Sequence, residues 1–297
     1  MTQIVVINRR NYNLYMSWYK KYLSAYEKLL EEIPENAVKE IQHKLDLQKH
    51  ENPLVSVVAI AHNEEKRILS CLWSLSENIC NFPIEIIVIN NNSTDRTTEV
   101  LNIFGVKWFD ELKKGPGHAR QCGLDHAKGK YYICIDADTL YPPYYIQTMV
   151  DKLRKPGVSC AFSLWSFIPD KNHSKLGLFF YELLRDIYLL LQSIKHPELC
   201  VRGMVFGFNT EMGLKIGFRT DIIRGEDGSL AYALKEYGKL VLITDKKARA
   251  LTGNSTLNAD GSFFKSFLNR LIKAFKNVTN LFSENNNYKD EDSNLIK

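Results

Sequence analysis

Two aspartates, Asp136 and Asp138, stand at the end of a run that predicts a buried β-strand, residues 131–136. Carboxylate oxygens suit Mg²⁺, which commonly takes one or two of them and completes its shell with water and phosphate oxygens. The pair could therefore hold a metal ion together with a diphosphate. Residues one apart on a strand point to opposite faces, so both can serve one ligand only where the strand turns or where their roles differ. The alternative is an acidic surface turn.

A second acidic pair, Glu226 and Asp227, precedes a helical pattern with apolar residues at 230, 233 and 234. Neighbouring acids repel each other, which raises the pKa of one of them and suits it to act as a general base. The alternative is that these acids only stabilise the start of the helix.

Two further polar clusters follow predicted strands. Residues 61–64, Ala-His-Asn-Glu, form a strand-to-helix turn in which His62 could touch a ligand, although such a turn alone is an ordinary helix start. Asn91 could read a base edge by hydrogen bonding. The residues after it, 93–95, predict a helix N-cap, whether or not Asn91 binds a ligand.

Arg120 is predicted to lie in the first turn of a helix that follows the loop of residues 115–117. An arginine at a helix N-terminus can pair with phosphate. The alternative is a solvated surface arginine.

Strands and helices must position these clusters, and the hydrophobic pattern predicts that they alternate. Such alternation is typical of a doubly wound, mostly parallel sheet. Ligands bind such sheets at the carboxyl ends of the strands, so the polar clusters should converge on one crevice. The predicted strands are 54–63, 84–93, 106–110 and 130–136, and the helices between them are 64–78, 94–104 and 117–127.

The composition excludes several other classes of protein. The chain has 297 residues, is 45% hydrophobic and 25% charged, and carries a net charge of +5, which argues against overall disorder and against nucleic-acid binding. Its six cysteines form no Cys-x-x-Cys pair, which favours free, mostly buried thiols. Zinc spacings, the P-loop, the dinucleotide glycine motif and the hydrolase Ser motif are missing.

The order of the motifs over residues 54–245 resembles the family 2 glycosyltransferases. Each motif is weak alone, but four in this order and spacing are specific. The resemblance implies the GT-A fold, a Rossmann-like α/β sheet flanked by helices. It also implies a nucleotide-diphospho-sugar donor and Mn²⁺ or Mg²⁺ as the cofactor.

The resemblance also assigns residues to the donor pocket. Asn63 and Glu64 match the family's Asn-Glu pair, with Ala61 and His62 beside them. Asn91 stands where the family often has an aspartate on the base, which leaves a UDP- or GDP-linked donor open.

Further residues are assigned to the diphosphate, the metal and the acceptor. Arg120 matches an Ala-Arg-Asn motif, although Gln121 replaces the asparagine, and is expected at the diphosphate. Asp136 and Asp138 match the family's Asp-x-Asp motif at the metal, with Asp136 nearer the ribose. Asp227 matches the catalytic base, with Glu226 beside it.

These assignments imply an inverting transfer. Asp227 would take a proton from an acceptor hydroxyl that attacks the anomeric carbon, in one displacement. A sugar-nucleotidyltransferase is an alternative, but it needs a glycine-rich loop after the first strand, which residues 61–65 lack. A non-catalytic nucleotide-sugar-binding module with a decayed site is the other alternative.

Two segments raise the question of a membrane. Residues 263–282 show an apolar stripe opposite Lys265, Arg270, Lys273 and Lys276, which predicts peripheral contact with an anionic membrane, or else a helix packed on the domain. Residues 176–191 are apolar but carry three charges, which favours an interpretation as core, with a second interfacial segment as the alternative. If both segments meet lipid, the acceptor would be a lipid-linked glycan.

The expected organisation has four parts. Residues 1–50 form a helical extension, 51–250 the catalytic domain, 251–283 an amphipathic helix and 284–297 a disordered tail. Within the domain, 51–140 is the nucleotide-binding half and 141–250 the acceptor half. No signal-peptide or membrane-spanning pattern is found, so we expect a cytoplasmic protein, with possible contact at the inner face of the plasma membrane.

Overall fold

A computed structural model describes residues 18–171 and 173–254. Ten strands form two sheets in this part of the chain. The strands are β1 (Val55–Ala61), β2 (Ile84–Asn90), β3 (Lys107–Asp110), β4 (Tyr131–Asp136), β5 (Thr139–Leu140), β6 (Val158–Ser163), β7 (Trp165–Phe167), β8 (Phe206–Asn209), β9 (Lys239–Ile243) and β10 (Ala250–Thr252).

The central sheet has the strand order β3-β2-β1-β4-β8-β6-β9. The first four strands in that order are parallel, as the sequence predicted. Strand β8 is inserted antiparallel between β4 and β6, and β9 then runs parallel to β6. The α/β fold with a mostly parallel central sheet is therefore confirmed. The inserted β8 was not predicted.

Helices cover this sheet and account for its apolar strands. Every residue of β2 is buried, and in β1 only Ile60 is partly exposed, as expected of strands covered on both faces. The α-helices are α1 (Lys20–Leu23), α2 (Glu35–Leu47), α3 (Ile68–Ser76), α4 (Thr97–Ile103), α5 (Pro116–His126), α6 (Tyr145–Leu153), α7 (Lys175–Lys195), α8 (Thr210–Ile216) and α9 (Glu226–Leu234).

The predicted helix 64–78 is confirmed as α3, although it begins only at Ile68, and its apolar residues Ile68, Leu72 and Leu75 are fully buried in the core. All six cysteines are free thiols, and four of them are buried. The prediction of unpaired, mostly buried thiols is therefore confirmed.

A small second sheet has the order β5-β10-β7. Its middle strand, β10, pairs antiparallel with β5 and parallel with β7. The predicted boundary at residue 250 was therefore wrong, because Leu251 and Thr252 belong to this sheet and not to a C-terminal helix. The predicted amphipathic helix 263–282 and the predicted disordered tail 284–297 lie outside the described residues.

The described part of the N-terminal segment, residues 18–50, lies against α3. Ser70 donates a hydrogen bond to the carbonyl of Tyr22, and the Tyr22 hydroxyl donates to Glu77 over 2.6 Å. Glu77 also pairs with Lys44 of α2 at 2.7 Å. The Glu77 carboxylate, at the C-terminal end of α3, therefore contacts both the beginning and the end of this segment. The division of the chain into extension and catalytic domain stays a prediction.

The three charged residues in the middle of helix α7 face the protein, whereas many of its apolar side chains face outward. Glu182, Arg185 and Asp186 are only 10–17% exposed, whereas nine large apolar side chains on the same helix are 40–77% exposed. The interpretation of 176–191 as core was therefore wrong for this outer face. We call these nine residues the α7 stripe: Leu176, Phe179, Phe180, Leu183, Leu184, Ile187, Leu190, Leu191 and Ile194.

Among the described residues, α7 included, we find no helix that combines the length and the hydrophobicity needed to cross a bilayer.

Candidate functional site

The loops after β1 and β2 are joined to each other by hydrogen bonds. The Asn63 side-chain oxygen accepts from the Thr94 amide over 2.7 Å, and the Asn63 amide donates to Ser93. Asp95 accepts from the amides of both Glu65 and Thr97. The predicted N-cap at 93–95 was wrong, because the N-cap residue of α4 is Arg96, which makes no side-chain capping hydrogen bond. The two predicted ligand loops therefore form one unit, although α4 begins only at Thr97.

Asn91 is buried within this unit, and its side chain is engaged by the protein. Its amide nitrogen donates to the carbonyls of Glu111 and Lys113, and its oxygen accepts from the Gly115 amide over 2.9 Å. Both donors of the amide are used. This geometry disfavours hydrogen bonding of the Asn91 side chain to a nucleotide base. The side chain instead holds residues 111–115 in place.

Two other residues of the predicted pocket also contact Asn91. The Ala61 carbonyl accepts from the Asn91 amide over 2.8 Å. His62 is exposed, and its Nδ1 lies 2.7 Å from the Asn91 carbonyl oxygen. The imidazole thus stands at the carboxyl ends of β1 and β2, where a nucleotide would lie in this class of sheet.

Arg120, in the first turns of α5, is almost fully buried, with 2% of its side chain exposed. Its Nη1 donates to the Ile135 carbonyl over 2.9 Å and its Nη2 to Asp136 Oδ1 over 2.5 Å. Its Nε lies 3.5 Å from Asp227 Oδ1. The guanidinium therefore connects the two acidic motifs, and this geometry disfavours the predicted contact with a diphosphate.

Asp136 ends β4, and Ala137 and Asp138 form a turn before β5. The strand has therefore turned between the two aspartates, which is one of the conditions under which both can serve one ligand. Tyr141 stabilises this turn, because its hydroxyl accepts a hydrogen bond from the Asp136 amide over 3.0 Å and donates one to the Met204 carbonyl.

Asp138 lies where the two ends of the described chain meet. The Tyr26 hydroxyl donates to the Asp138 carbonyl over 3.2 Å, and the Asp138 side chain accepts from Thr139. A Cβ on Gly253 would lie 2.6 Å from the Tyr26 hydroxyl and 3.9 Å from Asp138 Oδ2. The N-terminal segment and the end of β10 therefore enclose the predicted metal ligand.

Glu64 adds a third carboxylate on this side of the crevice. Burial, and then the charge of Asp138, raise the pKa of Glu64 to about 8, although Arg67 lies 2.7 Å away and opposes the shift. Burial and the charge of Asp136 likewise raise the pKa of Asp138. Close carboxylates that resist ionisation are stabilised by a divalent cation, whose charge offsets their repulsion.

The carboxylates fit a hard cation that shares its shell with a ligand. Within residues 18–171 and 173–254, no three His, Cys, Asp or Glu side chains are placed to hold a metal ion together. Asp138 would be the principal protein ligand, since one oxygen of Asp136 is bound to Arg120. Water and phosphate oxygens would complete the shell, as is usual for Mg²⁺.

The second acidic pair begins α9, where Gly225 is the N-cap residue and both acids lie in the first turn. Burial, and then the neighbouring Asp227 charge, raise the pKa of Glu226 to about 7. Burial also raises the pKa of Asp227, against the lowering effect of Arg120. Asp227 thus has the environment of a general base.

Three residues of the site were not predicted. Gly203 lies against Arg120 and Asp227. A Cβ at this position would overlap the Arg120 guanidinium and lie 2.5 Å from Asp227 Oδ2. Tyr141 and Tyr26 position the Asp136–Asp138 turn. Gly203 stands in a segment that the sequence indicates as acceptor-side, but its contact with Arg120 depends on tertiary structure. No local signal marks either tyrosine.

Solved structures share this fold at low sequence identity. A mannosyltransferase from Pyrobaculum calidifontis, determined with GDP-Man and Mn²⁺, has a TM-score of 0.56 and 18% identity over 90% of this chain and 76% of its own. Glucosyl-3-phosphoglycerate synthase from Mycobacterium tuberculosis, with Mn²⁺, UDP-glucose and phosphoglyceric acid, has a TM-score of 0.50 and 20% identity over 82% and 85%. These likenesses show the GT-A fold.

Relatives are also found by sequence. An uncharacterized glycosyltransferase of Rickettsia prowazekii is 30% identical over 170 residues, 50% of this chain and 53% of that protein. Glycosyltransferase GlyA of Streptococcus pneumoniae is 28% identical over 141 residues, 45% of this chain and 19% of that protein. The matched region thus spans about half of the first relative and a smaller share of the second.

The family profile described as Glycosyl transferase family 2 matches residues 56–211, just over half of the chain. The match begins in β1 and ends in α8, so it includes the crevice loops, Arg120 and both aspartates of the β4–β5 turn. The chain therefore belongs to glycosyl transferase family 2.

Proposed function

We propose that the protein transfers a sugar from a UDP- or GDP-linked donor to an acceptor hydroxyl, with inversion at the anomeric carbon. The observation that carries this proposal is the position of Arg120. Its buried guanidinium lies between Asp136, on the donor side, and Asp227, at the start of α9. The two acidic motifs therefore belong to one site.

Asp227 acts as the base in this proposal. Its raised pKa lets it hold a proton taken from the acceptor hydroxyl, while the nearby arginine limits that rise so that the carboxylate form stays available. One displacement by that hydroxyl, from the face opposite the leaving group, gives inversion. Glu226, beside Asp227, is the second residue predicted to be catalytic, and burial and the Asp227 charge raise its pKa to about 7.

The donor side is formed by Ala61, His62, Asn63 and Glu64 with the Asp136–Asp138 turn. Asp138, with Asp136, would hold Mn²⁺ or Mg²⁺. The cation, when bound, would offset the charge that develops on the leaving diphosphate. The two fold neighbours above were determined with a divalent cation and a nucleotide-sugar, which supports this choice of cofactor and donor.

The acceptor in this proposal is a glycan or a lipid-linked glycan used in cell-surface synthesis. The basic amphipathic pattern of residues 263–282 supports peripheral contact at the cytoplasmic face of the membrane. The family match sets aside the sugar-nucleotidyltransferase alternative. A decayed, non-catalytic module stays the second candidate, because Asn90 and Asn91 are both engaged by other protein groups.

A thermal-shift panel of UDP- and GDP-sugars, with and without Mn²⁺ or Mg²⁺, tests the donor side. We expect stabilisation by one nucleotide class that requires the cation and is lost in Asp138→Ala. Stabilisation by none of the donors would contradict the proposal.

Transfer and donor hydrolysis assays test the chemistry. Asp227→Asn should keep donor binding and lower turnover by about 10²–10⁴-fold, the usual contribution of a general base. Donor binding without any turnover in the unchanged protein would favour the non-catalytic module instead.

A further inference from the structure

We propose that the α7 stripe is a docking surface for an anionic lipid membrane, on which the helix lies flat. The proposal concerns binding and holds independently of the reaction proposed above. The stripe residues recur every three to four positions from Leu176 to Ile194, so they form one continuous face of the helix. With 21 residues, α7 is about 31 Å long at 1.5 Å per residue.

The inward face of α7 explains why the stripe points outward. Arg185 stacks 4.3 Å from the Trp165 ring centroid, and Arg249 pairs with Asp186 over 2.5 Å. Glu182 accepts from the Phe167 amide over 2.8 Å. These charge-assisted contacts fix the rotation of the helix about its axis, and turning the stripe inward would break all of them.

The charges around the stripe match an anionic surface. Lys175 lies at one end of α7 and Lys195 at the other, and the three charged residues between them are the ones turned inward. A groove between the C-terminal end of α7 and β9 extends the stripe and is lined by Leu190, Ile194, Lys195, Lys235 and Lys239. Lys235 is paired with Glu198 at 2.9 Å, so the basic charge of the groove comes from Lys195 and Lys239. Apolar side chains flanked by lysines are typical of helices that lie in the headgroup region.

This charge pattern favours lipid over a second copy of the chain. Pairing two α7 stripes antiparallel would bring Lys175 of one copy close to Lys195 of the other, which is repulsive. Residues 263–282 repeat the same combination of apolar and basic residues in sequence, without an acid. Two such segments in one chain are expected if both meet the same anionic lipid.

Vesicle flotation of the full chain tests the surface, using phosphatidylcholine alone and phosphatidylcholine mixed with phosphatidylglycerol. We expect binding that requires the anionic lipid. Leu184→Asp with Ile187→Asp should weaken it at least about tenfold, because two charges would enter the apolar contact. The milder pair Leu184→Ser with Ile187→Ser should weaken it less, and serves if the charged pair fails to fold.

Leu47→Asp with Leu214→Asp is the matched control, since it adds the same charge at exposed leucines of α2 and α8 and should leave binding unchanged. A further variant, Leu268→Asp with Ile272→Asp, changes the apolar residues of 263–282 and is expected to keep part of the vesicle binding. Adding the stripe pair to this variant should abolish the binding that remains.

Flotation that the stripe variants do not change would overturn the proposal. If these variants then dissociate a dimer, measured by light scattering, the stripe is an interface between two copies of the chain. If they instead lower the melting temperature of a monomer, residues 263–282 cover the stripe within the same chain.

Discussion

At the scale of single residues, one guanidinium serves two carboxylates. Burial excludes water from the Arg120 side chain, so its charge must be balanced by Asp136 and Asp227. Removing one partner of a buried ion pair leaves the other uncompensated, which is more damaging than the pair is stabilising. Arg120 is therefore expected to act through the two aspartates rather than on the donor.

Replacing Arg120 by methionine tests this role. We expect Arg120→Met to lower the free energy of unfolding by about 3–5 kcal/mol, measured by denaturant titration without ligand. Arg96→Met is the control, because Arg96 also pairs with two glutamates but is 45% exposed, and it should change little. Unchanged stability with weaker UDP or GDP binding would instead place Arg120 at the diphosphate.

The pKa of Glu226 predicts a pH dependence of stability. Its pKa is raised from 4.5 to about 7 in the folded protein, so the folded state holds this proton more tightly than the unfolded chain does. The resulting stabilisation is present at pH below about 4.5 and is lost as the pH rises through about 7. Glutamine stays neutral, so the melting temperature of Glu226→Gln should rise relative to that of the unchanged protein from about pH 5 to 8.

Glu211→Gln is the control for this measurement. Glu211 is exposed on α8 and pairs with Lys215, which lowers its pKa. The melting-temperature difference for Glu211→Gln should therefore not rise over the same pH range. A flat difference for Glu226→Gln as well would contradict the raised pKa.

At the scale of elements, the sequence predicted the strands and helices up to β4, but it did not predict the strand β8 that follows on the acceptor side. Strands β1, β2 and β4 are apolar runs followed by polar residues, and a local pattern identifies them. Strand β8 has only four residues and joins the sheet antiparallel, through partners far along the chain. Arg120 could be recognised by motif, but its burial depends on how β4, α5 and α9 meet.

Gly203, in the short 3₁₀ turn before β8, shows how closely these elements meet. We expect Gly203→Ala to lower transfer activity and to destabilise the fold by about 1–3 kcal/mol, because the added methyl group overlaps the Arg120 guanidinium. Gly207→Ala, within β8, is the control, since its Cβ would meet the Tyr132 carbonyl oxygen at 3.2 Å, a milder contact than at Gly203 and one that does not involve Arg120 or Asp227. Equal effects of the two substitutions on transfer would contradict a specific role for Gly203.

At the scale of the whole molecule, the N-terminal segment connects to the predicted metal site. Glu77 binds Tyr22 and Lys44, and Tyr26 from the same segment contacts Asp138. The sequence predicted helices in this segment, but it could not show that the segment reaches the site. Tyr26 lies 112 positions from Asp138, and no periodic pattern encodes such a contact.

Glu77→Gln tests this connection. Without the Glu77 carboxylate, Tyr22 and Lys44 lose their charged partner, which should lower the free energy of unfolding by about 1–3 kcal/mol. Residues 18–47 should then become accessible to limited proteolysis, and donor binding should weaken. Glu40→Gln is the control, because it removes a more exposed partner of the same Lys44. Easier proteolysis with unchanged donor affinity would show that the segment does not support the site.

The meeting of Tyr26 and Gly253 at Asp138 also has a consequence for how the protein is made. A ribosome releases the β4–β5 turn long before Gly253, and contacts between distant parts of a chain form late in folding. The α/β sheet can therefore assemble while the turn is still open on both sides. If the proposed donor binds at this turn, its site is complete only after synthesis has passed β10, so partly made chains would have a folded core and would not bind the donor.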